Sequence, residues 1–139
     1  MDPGVVLDTS ALVEYARNDV RALPIDELLR ELREDTGGPV HIPWYALEEA
    51  QQVLADDRAA LARLESFAGA HGVRLADADT TRAVDLIVEE GRVTPGLAHA
   101  MLLSVTGGLS LATYAAPTLE QAGFSLGRVL DLDEVFREE

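Results

Sequence analysis

Val5-Val6-Leu7 runs straight into Asp8, and that junction constrains the fold more than any other stretch of the chain. A wholly apolar run ends in an acid, two hydroxyls follow (Thr9, Ser10), and an apolar helical pattern starts at Ala11. Such a run reads as a strand buried on both faces, the kind found in parallel sheets covered by helices above and below. An Asp at the carboxyl end of that strand stands where open α/β sheets place their ligands. Thr9 or Ser10 can cap the following helix, because a side-chain oxygen accepts a hydrogen bond from a free backbone N–H of the first turn. The competing reading makes Asp8 itself no more than the helix cap.

The alternation continues to the end of the chain. The pattern predicts strands over 5–8, 40–43, 72–76, 109–113 and 128–132. It predicts helices over 11–17, 25–34, 45–54, 58–69, 80–90 and 97–106, and a short helix or turn over 118–122. Leu28, Leu29 and Leu32 share one face of the second helix, and Thr36-Gly37-Gly38-Pro39 breaks it. Gly91 is placed to close the 80–90 helix, and Gly107-Gly108 the 97–106 helix. Strands alternating with helices give an α/β fold: about five parallel strands with helices on both faces. Residues 1–139 show no repeat, linker or low-complexity segment, so they form one domain.

With 47% hydrophobic residues the chain can fill such a core. It has no cysteine, which excludes disulfides, thiolate chemistry and cysteine-based zinc sites. No apolar run is long enough to span a bilayer, and Met1-Asp2-Pro3-Gly4 leads directly into the first strand, so a cytoplasmic protein is expected. Twenty-five acids face 11 bases, all of them Arg, for a net charge of −14. That field repels polyanions, disfavouring RNA unless a metal ion or local arginines offset it, and attracts a basic protein segment. Neither GxGxxG nor GxxxxGK[ST] occurs, so phosphate loops of those types are absent.

Glu49 is the second acid of interest. Ala46, Ala50, Val53 and Leu54 make the buried stripe of its helix, Glu49 lies at the flank of that stripe, and Glu48 points nearly opposite, into solvent. Glu49 can therefore reach a cleft at the sheet edge, whereas an ordinary acidic first turn is the plainer explanation of Glu48-Glu49.

The Leu-Asp-Thr-Ser opening, the Glu49 helix after the second strand, Ala98-His99-Ala100 and Leu111-Ala112-Thr113 together resemble PIN domains, the fold of the VapC-type toxin ribonucleases. The resemblance covers nearly the whole chain. PIN nucleases gather three or four carboxylates around Mg²⁺ or Mn²⁺, hard cations that take oxygen ligands. It implies that Asp8 and Glu49 are the catalytic and metal-holding acids here. The family's third acid opens a helix and its fourth follows the next strand. Aligned on Gly108 and Thr113, those slots hold Leu97 and Ala115. With half the set missing, metal binding is expected to be weak and nuclease activity weak or lost. His99 stands two residues from Leu97 and so points to the other side of its helix, near Leu102, Leu103 and Thr106, as a core or interface histidine would. Asp77, Asp79 and Asp85 are the nearest other acids, each expected to be solvated or capping. The resemblance also implies a homodimer and an antitoxin-like partner whose tail covers the cleft. The alternative is a non-catalytic PIN-fold module acting through a protein partner. Haloacid-dehalogenase-like phosphatases also open with a strand and an Asp, but they need a second Asp where Ser10 stands, and a Lys that this chain lacks.

Overall fold

The computed structural model describes residues 4–34, 38–77, 81–124 and 128–137. Five strands, β1 (Val5–Leu7), β2 (Val40–Pro43), β3 (Val73–Ala76), β4 (Ser110–Thr113) and β5 (Val129–Asp131), make one sheet in the order β3-β2-β1-β4-β5. Every neighbouring pair is parallel. The helices are α1 (Thr9–Arg17), α2 (Leu23–Glu34), α3 (Trp44–Val53), α4 (Arg58–Ala68), α5 (Thr81–Gly91), α6 (Pro95–Gly107), α7 (Ala116–Gln121) and α8 (Glu134–Arg137). A 3-10 turn, Val20–Ala22, joins α1 to α2.

The central strand explains the layering. Successive side chains of a strand point to opposite faces. Val5 and Leu7 enter a core with Leu12, Ile25, Ala50 and Leu64, from α1 to α4. Val6 enters a second core with Val84, Leu97, Leu111 and Leu119, from α5, α6, β4 and α7. Both faces of β1 are thereby closed, which is why its sequence is continuously apolar rather than alternating. Each fully buried Leu or Ile of these cores contributes about 1.5–3 kcal/mol of transfer free energy.

The strand order has one reversal. From β1 the chain steps outward to β2 and β3, then crosses back to place β4 on the other side of β1. Between the carboxyl ends of β1 and β4 two crossovers diverge, and a crevice opens there.

The element ends correct several sequence expectations. Helix α1 starts at Thr9, not at 11, because the Asp8 side chain caps it by accepting from the Ala11 N–H; neither Thr9 nor Ser10 is the cap. Helix α2 starts at Leu23, with Pro24 tolerated in its first turn. Thr94 caps α6 from outside, accepting from the Leu97 N–H, and Pro95 fits the first turn, where no N–H is needed. Gly91 lies inside α5, and the left-handed residue after it is Arg92. Gly108 does close α6 in the left-handed conformation. Val53 is 55% exposed rather than part of the α3 stripe, because the helix ends there. The short α8 was not foreseen; four residues carry too little periodicity. The break at 36–37 and residue Thr80 lie outside the described residues.

Candidate functional site

The carboxyl edge of β1 and β4 lines a cleft of about 630 Å³ that takes in Asp8, Glu49, Leu97 and Ala115. Asp8 follows β1 directly and is 2% exposed. One of its oxygens, Oδ1, accepts from the Ser10 hydroxyl at 2.7 Å and the Ala11 N–H at 3.0 Å. The other, Oδ2, accepts from the hydroxyl of Thr113, the last residue of β4, at 2.5 Å. Those hydroxyls are held in turn by the loop after β4. The Tyr114 N–H donates to Ser10 Oγ at 2.9 Å and the Ala115 N–H to Thr113 Oγ1 at 2.8 Å. Asp8 therefore ties β1, the start of α1 and the end of β4 into one network. Burial pushes its carboxyl above the ordinary range, and the hydrogen bonds from Thr113, Ala11 and Ser10 offset part of that rise.

Glu49 reaches the cleft from the middle of α3. Its Oε1 accepts from the Thr9 hydroxyl and its Oε2 from the backbone N–H of Gly96, both at 2.8 Å. The second contact lies in the first turn of α6, where backbone donors lack helical partners and negative charge is favoured. The approach is close enough to exclude a side chain at Gly96. A Cβ there would lie 2.3 Å from Thr9 Oγ1, 2.5 Å from Glu49 Oε1 and 2.9 Å from the Ala46 Cα. Glu48 is half-buried rather than fully solvated, and it does not line the cleft.

The slots opposite are apolar. Leu97, in the first turn of α6, is buried among Val6, Val84 and Val93, and Ala115 stands on the β4–α7 loop. His99 is 1% exposed and turned away from the cleft. Its Nδ1 accepts from the Tyr45 N–H at 3.5 Å, and its ring meets that of Tyr45 edge-on at 5.3 Å between centroids. Burial lowers its pKa, against a smaller opposing pull from Asp77, so it is a neutral core histidine at physiological pH. Asp77 and Asp85 are exposed and do not line the cleft; Asp79 lies outside the described residues.

Two arginines border the cleft. Arg21 is half-exposed and already paired: it lies 3.3 Å from Glu14 and bonds Asp133, with its guanidinium over the Tyr114 and Phe136 rings. Arg92 is exposed and makes no side-chain contact of that kind among the described residues. Sequence reasoning passed over Arg92 and the carboxylate-holding role of Ser10 and Thr113. Hydroxyls at the ends of two strands that prove adjacent were the available signal for the latter.

A larger cavity, about 820 Å³, opens at the opposite edge of the sheet, beside the first residues of β2 and β3. Its wall is Leu29, Leu32 and Phe67 with Arg33, Arg63 and His71, and none of the sequence-predicted site residues reaches it. Among the described residues no group of three or more His, Cys, Asp or Glu side chains is placed to hold a metal ion, and no helix is long and apolar enough to cross a membrane.

No protein-family model matches the chain, and no curated protein does. Among solved structures the chain is similar to the crystal structure of PAE2754 from Pyrobaculum aerophilum, with a TM-score of 0.59 and 15% identity, over 97% of this chain and 96% of that one. At that identity the likeness establishes a shared fold and nothing finer.

Proposed function

We propose that this chain is a PIN-like domain, related to the metal-dependent endoribonucleases of toxin–antitoxin systems, whose acidic site is incomplete and whose nuclease activity is weak or lost. One observation carries this reading. Asp8 and Glu49 line one cleft at the point where the strand order reverses, and the residues in the two remaining acid slots, Leu97 and Ala115, line the same cleft.

The donor set fits a weakly held Mg²⁺ or Mn²⁺. Each carboxylate oxygen accepts two hydrogen bonds or ligands. Asp8 Oδ1 already accepts two, whereas Asp8 Oδ2 and both Glu49 oxygens accept one each, so three oxygens keep an unused acceptor position. Two carboxylates leave most of the octahedral shell to water and substrate. A cation bound there would lower the pKa of a coordinated water and offset charge on the scissile phosphate. Ser10 and Thr113 would hold Asp8 in place for it, and Thr9 and the Gly96 N–H would hold Glu49.

The second reading is a non-catalytic module acting through a protein partner, either an antitoxin-like protein or a basic segment. It is favoured by the satisfaction of both carboxylates with internal donors and by the net charge of −14. A homodimer and a cytoplasmic location belong to both readings.

Calorimetric titration with Mn²⁺, run beside cleavage of single-stranded RNA, tests the first reading. The expected result is weak Mn²⁺ binding, diminished in Glu49→Gln, with slow or no cleavage. Tight stoichiometric binding, or robust cleavage abolished by Asp8→Asn, would mean that the ligands have been undercounted.

A further inference from the structure

We propose that Arg92 contacts a backbone phosphate of single-stranded RNA at the mouth of the Asp8–Glu49 cleft; the choice of ligand rests on the functional reading above. Arg92 borders the cleft and is exposed, and among the described residues its guanidinium has no ion-pair or hydrogen-bond partner. Arg21, the other arginine there, is already paired with Glu14 and Asp133, so its charge is largely offset. The backbone supplies an independent observation. Arg92 has φ 54°, in the left-handed region, and its N–H closes α5 on the Val88 carbonyl. Glycine is the residue best suited to that conformation, and a glycine stands one position earlier, inside the helix, where it is of no use to the cap. A long cationic side chain thus occupies a position that disfavours any Cβ, and strain of this kind concentrates where a side chain is needed for binding. A chain of net charge −14 repels a polyanion at long range and needs a local cation for it to dock. The guanidinium fork matches phosphate geometry, and beside two carboxylates it would hold the phosphate that a cation on Asp8 and Glu49 also faces.

Arg92→Gly separates binding from structure, because glycine removes the guanidinium while suiting the backbone. The experiment is fluorescence anisotropy of a short labelled oligouridylate with wild type, Arg92→Gly and Arg92→Lys, in Mg²⁺, across a KCl series. The RNA is checked intact on a gel, and each protein's Tm is measured. Arg92→Gly is expected to weaken binding about tenfold, the size of one charge-assisted hydrogen bond. It should also reduce the slope of log Kd against log salt by about one. Its Tm should stay within roughly 2 °C of wild type or rise. Arg92→Lys should keep the slope. Unchanged affinity and slope in Arg92→Gly would overturn the proposal alone, as would a fall in Tm that accounts for lost binding at constant slope. Wild type that fails to bind the RNA at any salt overturns both this proposal and the RNA-directed reading of the cleft.

Discussion

The two walls of the cleft differ in kind. The wall built by β1 and α3 presents Asp8 and Glu49, each held by two or three donors from elsewhere in the chain. The facing wall, from α6 and the β4–α7 loop, presents Leu97 and Ala115, and Leu97 is part of a core. The acids of the first wall have structural duties. Asp8 caps α1 and ties it to β4, and Glu49 anchors the first turn of α6. At position 97 an acid would have no such duty, because Thr94 already caps α6, whereas position 115 is the N-cap of α7, whose first turn lacks a side-chain cap that an acid there could supply. The difference teaches that the acids of one wall double as ties between distant segments, whereas the leucine of the other wall serves the core.

The severest way to break this asymmetry is to place acids on the facing wall, as Leu97→Asp with Ala115→Asp. Without metal the double variant should lose about 5 kcal/mol, from the buried leucine removed and from four clustered carboxylates raising one another's pKa. Mn²⁺ should recover much of that loss, because it binds the native state alone, and RNA cleavage should appear or rise. Thermal unfolding with and without Mn²⁺, beside a cleavage assay, measures both; failure of the metal to rescue would show that these slots do not face the ion.

A smaller effect is expected where the walls meet. Gly96→Ala drives a methyl group into Thr9, Glu49 and the α3 backbone, and should cost about 2–3 kcal/mol by pushing α6 away from its anchor. Urea denaturation would detect it. A neutral result would mean that Glu49 does not clamp α6.

The smallest effect is at Asp8, and its sign is informative. Asp8 has its pKa raised in the folded state. The stability tied to its protonated form is therefore complete below the unfolded pKa and is lost as pH rises through the folded value. Asp8→Asn imitates the protonated form, so its Tm relative to wild type should climb with pH from the acid side to neutrality. A Tm difference that shrinks with rising pH would show that the ionised carboxylate is the stabilising form.

The layers of the fold were legible because the helices obey a simple period and β1 is apolar throughout. Val5-Val6-Leu7 reads as a strand closed on both faces, and Glu49 could be placed on the flank of α3 by counting residues. The same count, two positions from Leu97, turned His99 away from the cleft towards the core or an interface, and the core is where it stands. What escaped lay in contacts between distant segments. Thr113 meets Asp8 across a separation of 105 residues, and no local pattern announces it. Arg92 escaped because Gly91 beside it is the residue that local rules prefer for a left-handed cap, and the chain takes that conformation one residue later.

The strand order also sets a schedule. In the register of β1 against β4, Val5 stands beside Ser110. At a synthesis rate of about 10 residues per second, β4 follows β1 by roughly 10 s. Until then β1 lacks one of its two neighbours, Asp8 lacks Thr113, and Glu49 lacks Gly96. A chain that has not yet reached β4 therefore cannot hold the complete sheet or the cleft. Any ligand that depends on both walls meets the protein only after residue 113 has left the ribosome.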